Sequence, residues 1–173
     1  MADSAMPELD QLIKAWDEGH WELSEAFVGL GDEDVWRRRH PRLLSIGELA
    51  AHIAYCEAVR ITGPGADHKP DLADVLIKSP LIDWTFRYYL NTVESTKQLE
   101  LGAADVLAEV ARVHGEAKAA VTQVKRDTED PFPRYGGMDT WGSNLRYLVF
   151  HVAYHTGQVY SVRHLFGHET QDN

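Results

Sequence analysis

The sequence is short of the features that mark secreted, membrane-bound or nucleic-acid-binding proteins. It has one cysteine, Cys56, so no internal disulfide can form and a reducing compartment is expected. Cys56 stands among apolar helix positions, where a buried structural thiol is expected rather than a reactive one. No apolar run approaches the ~20 residues of a membrane span. Residues 1–11 lack the basic-then-apolar profile of a signal peptide, so the expected location is the cytoplasm with no membrane partner. Basic residues are scarce: 17 Lys and Arg face 27 Asp and Glu, for a formal net charge of −10. Such a balance repels polyphosphates, and no Lys/Arg-rich run offsets it, which argues against a nucleic-acid partner.

Several catalytic signatures are missing as well. There is no P-loop, dinucleotide glycine fingerprint, CxxC pair or GxSxG elbow. His151-Val-Ala-Tyr-His155 lacks the glutamate of HExxH, so a zincin-type peptidase would need its general base from elsewhere.

What is present reads as one domain over residues 1–173, with 1–6 and 168–173 as flexible tails. Hydrophobic content of 44% and charged content of 25% are near globular averages. The expected class is all-α: four long amphipathic helices and a shorter one. The first helix starts near Pro7 and ends at Gly29 and Gly31, with a single turn over residues 32–36 before His40-Pro41 breaks the chain. Ser45 and Glu48 form a capping box that opens a helix running to about Ile61. Residues 81–92 are aromatic-rich and expected to be helical, and 103–125 carry a clear helical stripe. A Pro/Gly/Asp-rich loop follows, with a short strand expected around Phe132 to Tyr135. The last helix is expected to start near Ser143 or Asn144. In it Leu145, Leu148, Val152, His155, Val159, Val162 and Phe166 step by three and four without a break.

The candidate chemistry lies in histidines. His151 and His155 are four residues apart, about 40° around a helix and roughly 6 Å along it, so both imidazoles can reach one ion. His52 borders the apolar stripe Ile46, Leu49, Ile53 and Cys56 of the second long helix. Three histidines facing inward are costly unless paired or metal-bound. The residues alone leave two readings level: a three-histidine metal site with an open coordination position, or core histidines satisfied by hydrogen bonds. Two further residues are candidates for catalysis. Glu57 could orient an imidazole or take a proton, although its position favours a solvated carboxylate. Gln158 could hydrogen-bond a metal-bound water, or be an ordinary amide at a helix boundary. Tyr154 and Tyr160 are expected to pack. His20, His114, His164 and His168 read as surface residues, His40 as part of a turn, and His68 as a loop residue.

The segments Ser45-Ile-Gly-Glu-Leu-Ala-Ala-His52 and His151-Val-Ala-Tyr-His155-Thr-Gly-Gln158 resemble the two ligand helices of the DinB/YfiT-like superfamily. The resemblance extends over nearly the whole chain, including the opening helix with Trp16 and the His40-Pro41 element. It implies a four-helix bundle with one crossover connection and an extra short helix, a divalent ion (zinc or nickel) on His52, His151 and His155, and a homodimer. It also implies a small-molecule or thiol partner, because several families of the superfamily use a low-molecular-weight thiol. The implied activity is a metal-dependent thiol S-transferase in detoxification or stress response. A non-catalytic metal-binding protein and a metal-dependent hydrolase are the alternatives. The chain departs from a minimal member over residues 63–92, where Trp84, Phe86, Tyr88 and Tyr89 are expected to make core or dimer contacts.

Overall fold

The computed structural model describes residues 7–63, 72–87, 98–123, 127–132 and 139–170. The helices are α1 (Pro7–Glu25), the single turn α2 (Asp32–Val35), α3 (Ile46–Thr62), α4 (Ala103–Gln123) and α5 (Trp141–Phe166). Two 3-10 turns, Leu72–Asp74 and Trp84–Arg87, lie between α3 and α4. A two-residue strand β1 (Pro131–Phe132) pairs antiparallel with β2 (Asp139–Thr140). The all-α architecture expected from the periodicity is the one observed.

The bundle closes because each long helix buries one stripe. Trp16 and Leu23 on α1, Ile53 on α3, Val113 on α4, and Leu145 and Leu148 on α5 are all buried in one continuous core. α1 packs chiefly on α5, while α3 packs on both α4 and α5. That order sets α3 and α5, the two helices that carry the candidate ligands, side by side.

Local chemistry fixes where the site helices begin. Ser45 accepts the Glu48 amide at 3.2 Å, and Glu48 accepts the Ser45 amide at 2.8 Å, closing the expected capping box. Glu48 also receives Arg38, with Arg38 Nε donating at 2.7 Å, so the start of α3 is tied to the segment before it. Gly47 lies where α3 meets Trp36: a Cβ there would come within 2.7 Å of the indole ring.

Two expectations need correction. Residues 81–87 contain only the 3-10 turn Trp84–Arg87, not an α-helix. Asp83 Oδ1 accepts the Thr85 amide and hydroxyl, which folds the chain into a tight turn instead. Residues 88–92, with Tyr88 and Tyr89, lie outside the described residues. The last helix starts earlier than expected, at Trp141. Its N-cap is Thr140, whose hydroxyl accepts the Ser143 amide while Ser143 Oγ accepts the Thr140 amide. Ser143 is thus the third residue of the helix, not its cap. The expected strand is present at Phe132, within β1, and residues 133–138 lie outside the described residues. Phe132 is buried edge-on against Trp141, with ring centroids 4.8 Å apart. α5 stops at Gly167, whose φ of 85° is left-handed and natural for glycine.

Candidate metal centre

His52 projects from the middle of α3, and His151 and His155 from the facing side of α5. Each offers a ligand nitrogen within 4.8 Å of the others. His52 Nε2 and His151 Nε2 stand 3.2 Å apart. His52 and His151 are buried, whereas His155 is half-buried and forms the more open side of the cluster.

The hydrogen bonds behind the rings assign their tautomers. His52 Nδ1 donates to the carbonyl oxygen of Phe86, the residue that the 3-10 turn places against α3. His155 Nδ1 lies 2.7 Å from Gln158 Oε1, one helical turn on, and donates to it. In the neutral rings this leaves both Nε2 lone pairs directed into the cluster. His151 Nδ1 has no hydrogen-bond partner. Its ring stacks on Tyr147 at 5.4 Å, and the Arg60 guanidinium covers the same tyrosine at 3.7 Å. Cys56 Sγ, half-buried rather than buried as expected, lies 3.8 Å from His52 Nε2.

The electrostatics keep these rings neutral. Burial, reinforced by His155, takes the His52 pKa down to about 4 against the opposing hydrogen bond to Phe86. Burial and the two neighbouring imidazoles push His151 lower still. Burial also lowers His155, against its bond to Gln158. Neutral imidazole is the form that ligates metals. The geometry fits an ion as well. Two nitrogens each about 2.05 Å from a tetrahedral ion would stand roughly 3.3 Å apart, close to the 3.2 Å between the two Nε2 atoms.

The sequence model of the DinB superfamily matches residues 11–159. The chain belongs to the DinB superfamily. Comparisons with curated proteins and with solved structures returned no match. Superfamily membership and the histidine cluster together make this a DinB-like protein with a group able to hold a metal ion.

The other sequence candidates divide. Gln158 does meet the cluster, by fixing His155. Glu57 does not join it, and the expected solvated carboxylate is wrong: Glu57 is 1% exposed, in the core between α1 and α4. Trp16 Nε1 donates to Glu57 Oε1 at 2.6 Å, and His20 Nε2 lies 2.6 Å from the same oxygen. His114, also expected at the surface, is buried beside it, and the His20 side chain is only 9% exposed. Both histidines occupy apolar stripes of their helices, Trp16-His20-Leu23-Phe27 and Val110-His114-Ala117-Val121. That spacing was the available signal. Tyr154, expected to pack, is half exposed, while Tyr160 packs and donates to Glu22. His164 is exposed, His168 reaches Asp34 at 2.9 Å, and His40 Nδ1 accepts the Arg42 amide within the turn. Phe86 is core and Trp84 half-buried beside Tyr55, while His68 lies outside the described residues. No helix among the described residues is long and apolar enough to cross a membrane.

Proposed function

We propose that this DinB-superfamily protein is a metal-dependent S-transferase for a low-molecular-weight thiol, with zinc or nickel held by His52, His151 and His155. The observation that carries the reading is the convergence of three imidazole nitrogens from two helices, a ligand count that leaves a coordination position free in catalytic sites. When bound, such an ion supplies positive charge that favours the thiolate over the thiol at neutral pH.

The chain's own residues perform the rest. Phe86 and Gln158 hold two rings so that their Nε2 atoms keep the productive direction. The aromatic rings of Tyr147 and Tyr154 wall the α5 side, each packed on one ligand imidazole. The reaction forms a bond from sulfur to an electrophilic carbon. The leaving group departs with its bonding pair, and the thiol proton passes to solvent. Among the described residues no carboxylate joins the three histidines. The same open position could instead carry a water made acidic by the ion, so metal-assisted hydrolysis is the competing chemistry.

A second reading, a metal-binding protein without turnover, draws support from the burial of His52 and His151. One series of measurements separates the two. Elemental analysis of untagged protein is expected to give about one divalent ion at this site, lost in the His151→Ala/His155→Ala variant. The loaded protein is then assayed with glutathione, mycothiol and bacillithiol against a chromogenic aryl halide. Saturable dependence of rate on one thiol supports the transferase. A tight metal complex indifferent to every thiol overturns it in favour of the binder. Light scattering on the same sample tests the homodimer.

A further inference from the structure

Glu57 is a carboxylate sealed in the core, and its surroundings do more than neutralise it. It lies five residues after His52 on α3, about 140° around the helix, and so faces α1 and α4 rather than α5. Its Oε1 is engaged by Trp16 and His20 from α1, each at 2.6 Å. Its Oε2 faces His114 Nδ1 from α4 at 3.4 Å. Neither of those two atoms makes a hydrogen bond.

The far side of His114 explains why that pairing matters. His114 Nε2 lies 2.9 Å from Asp17 Oδ1, which can only accept, so the ring proton sits on Nε2. A neutral His114 then turns its Nδ1 lone pair toward a carboxylate lone pair, and two bare acceptors at that distance repel. The arrangement is satisfied by a cation between them. A carboxylate behind a histidine, fixing its tautomer and raising its basicity, is the outer support that metal-ligating histidines use. Lys118, 2.8 Å from the same Asp17 oxygen, ties that support to α4.

We propose that His20, Glu57 and His114 form a second divalent-metal site, separate from the histidine triad, for zinc or a similar borderline ion. Their ligand atoms lie within 4.8 Å of one another. Two imidazoles and a carboxylate are a set that zinc accepts. Trp16 orients Glu57 and Asp17 orients His114. His20 is the outermost member, and its ring stacks on His114 with centroids 3.7 Å apart. An ion there would require the His20 ring to turn out of this stack so that its Nε2 could converge with His114 Nδ1. The local charge favours a cation: two carboxylates flank His114, Asp17 at 2.9 Å from Nε2 and Glu57 at 3.4 Å from Nδ1. The competing occupant is therefore a second proton on His114.

The test uses the full chain and does not require removal of Glu57. Metal-free wild type, the His151→Ala/His155→Ala variant and a His20→Gln variant are each titrated with Zn²⁺ and Co²⁺, and the ions retained are counted. The expected result is about two ions per wild-type chain and about one in each variant, with a cobalt ligand-field spectrum in the double variant distinct from that of His20→Gln. A double variant that holds the wild-type circular dichroism spectrum and retains no ion overturns the proposal and leaves a proton-bridged ion network. If the double variant does not fold, wild type against His20→Gln decides: a fall from two ions to one supports the site, and an unchanged count overturns it. Loss of the triad's ion alone leaves this result intact, so the two sites fail separately.

Discussion

The carbonyl oxygen of Phe86 accepts the Nδ1 proton of His52, so the tautomer of a candidate ligand on α3 is set by a turn thirty-four residues further along the chain. Gln158 does the same for His155 from within α5. In metal-free protein at pH 7.5, long-range proton–nitrogen NMR spectra are expected to show both rings protonated at Nδ1. Removing one support weakens the site without touching a ligand. Gln158→Ala should lower metal affinity roughly 10–100-fold in a chelator competition, with the helical spectrum unchanged.

The depressed histidines make the metal-free protein acid-sensitive in a defined window. An unfolded histidine titrates near 6.5, whereas His52 in the fold titrates near 4 and His151 lower. Between those values the unfolded chain binds more protons, so stability is present above about pH 6.5 and falls as pH drops toward 4. His114 is shifted the other way, and its contribution is complete below 6.5 and lost as pH rises through its folded value. The acid window therefore belongs to the triad. Unfolding temperatures from pH 7 to pH 4 should fall for wild type and fall less for His52→Phe.

Glu57 is paired and buried, so removing its charge should be expensive. Burial opposes its ionisation, yet His20 and His114 outweigh burial and hold its pKa well below the usual carboxylate range. Glu57→Gln is expected to destabilise by about 3 kcal/mol, the low end for breaking a buried ion pair, since the amide oxygen still accepts from Trp16. Glu116→Gln, at an exposed ion pair on α4, should change stability by less than about 1 kcal/mol. Urea unfolding of both measures the contrast.

Thr140→Ala removes the hydroxyl that caps α5. The expected loss is about 1 kcal/mol in urea unfolding. The histidines lie three turns further on, so the metal count should not change.

The helices were legible wherever an uninterrupted stripe coincided with a cap. Ser45 and Glu48 announced α3, and the seam from Leu145 to Phe166 announced α5 with two of its histidines. The start of α5 was misplaced because Ser143 looks like a cap in isolation; only its reciprocal bonds with Thr140 show otherwise. The 3-10 turn at residues 84–87 was missed because aromatic density resembles helix, while the side chain of Asp83 favours a turn. Spacing and stripe pointed the three histidines inward but left the metal and core readings level, and the family resemblance favoured the metal. The Glu57 cluster was not legible: its polar residues sit on buried stripes of three helices, and which ones meet depends on packing order, which no single stripe encodes.

His52 and His151 are ninety-nine residues apart in sequence. An ion seated between them is therefore a removable cross-link closing a very long loop, and it restricts the unfolded chain as a covalent bridge would. In a protein whose single cysteine denies it any internal disulfide, a chelator would act on the fold as a reductant acts on a secreted one.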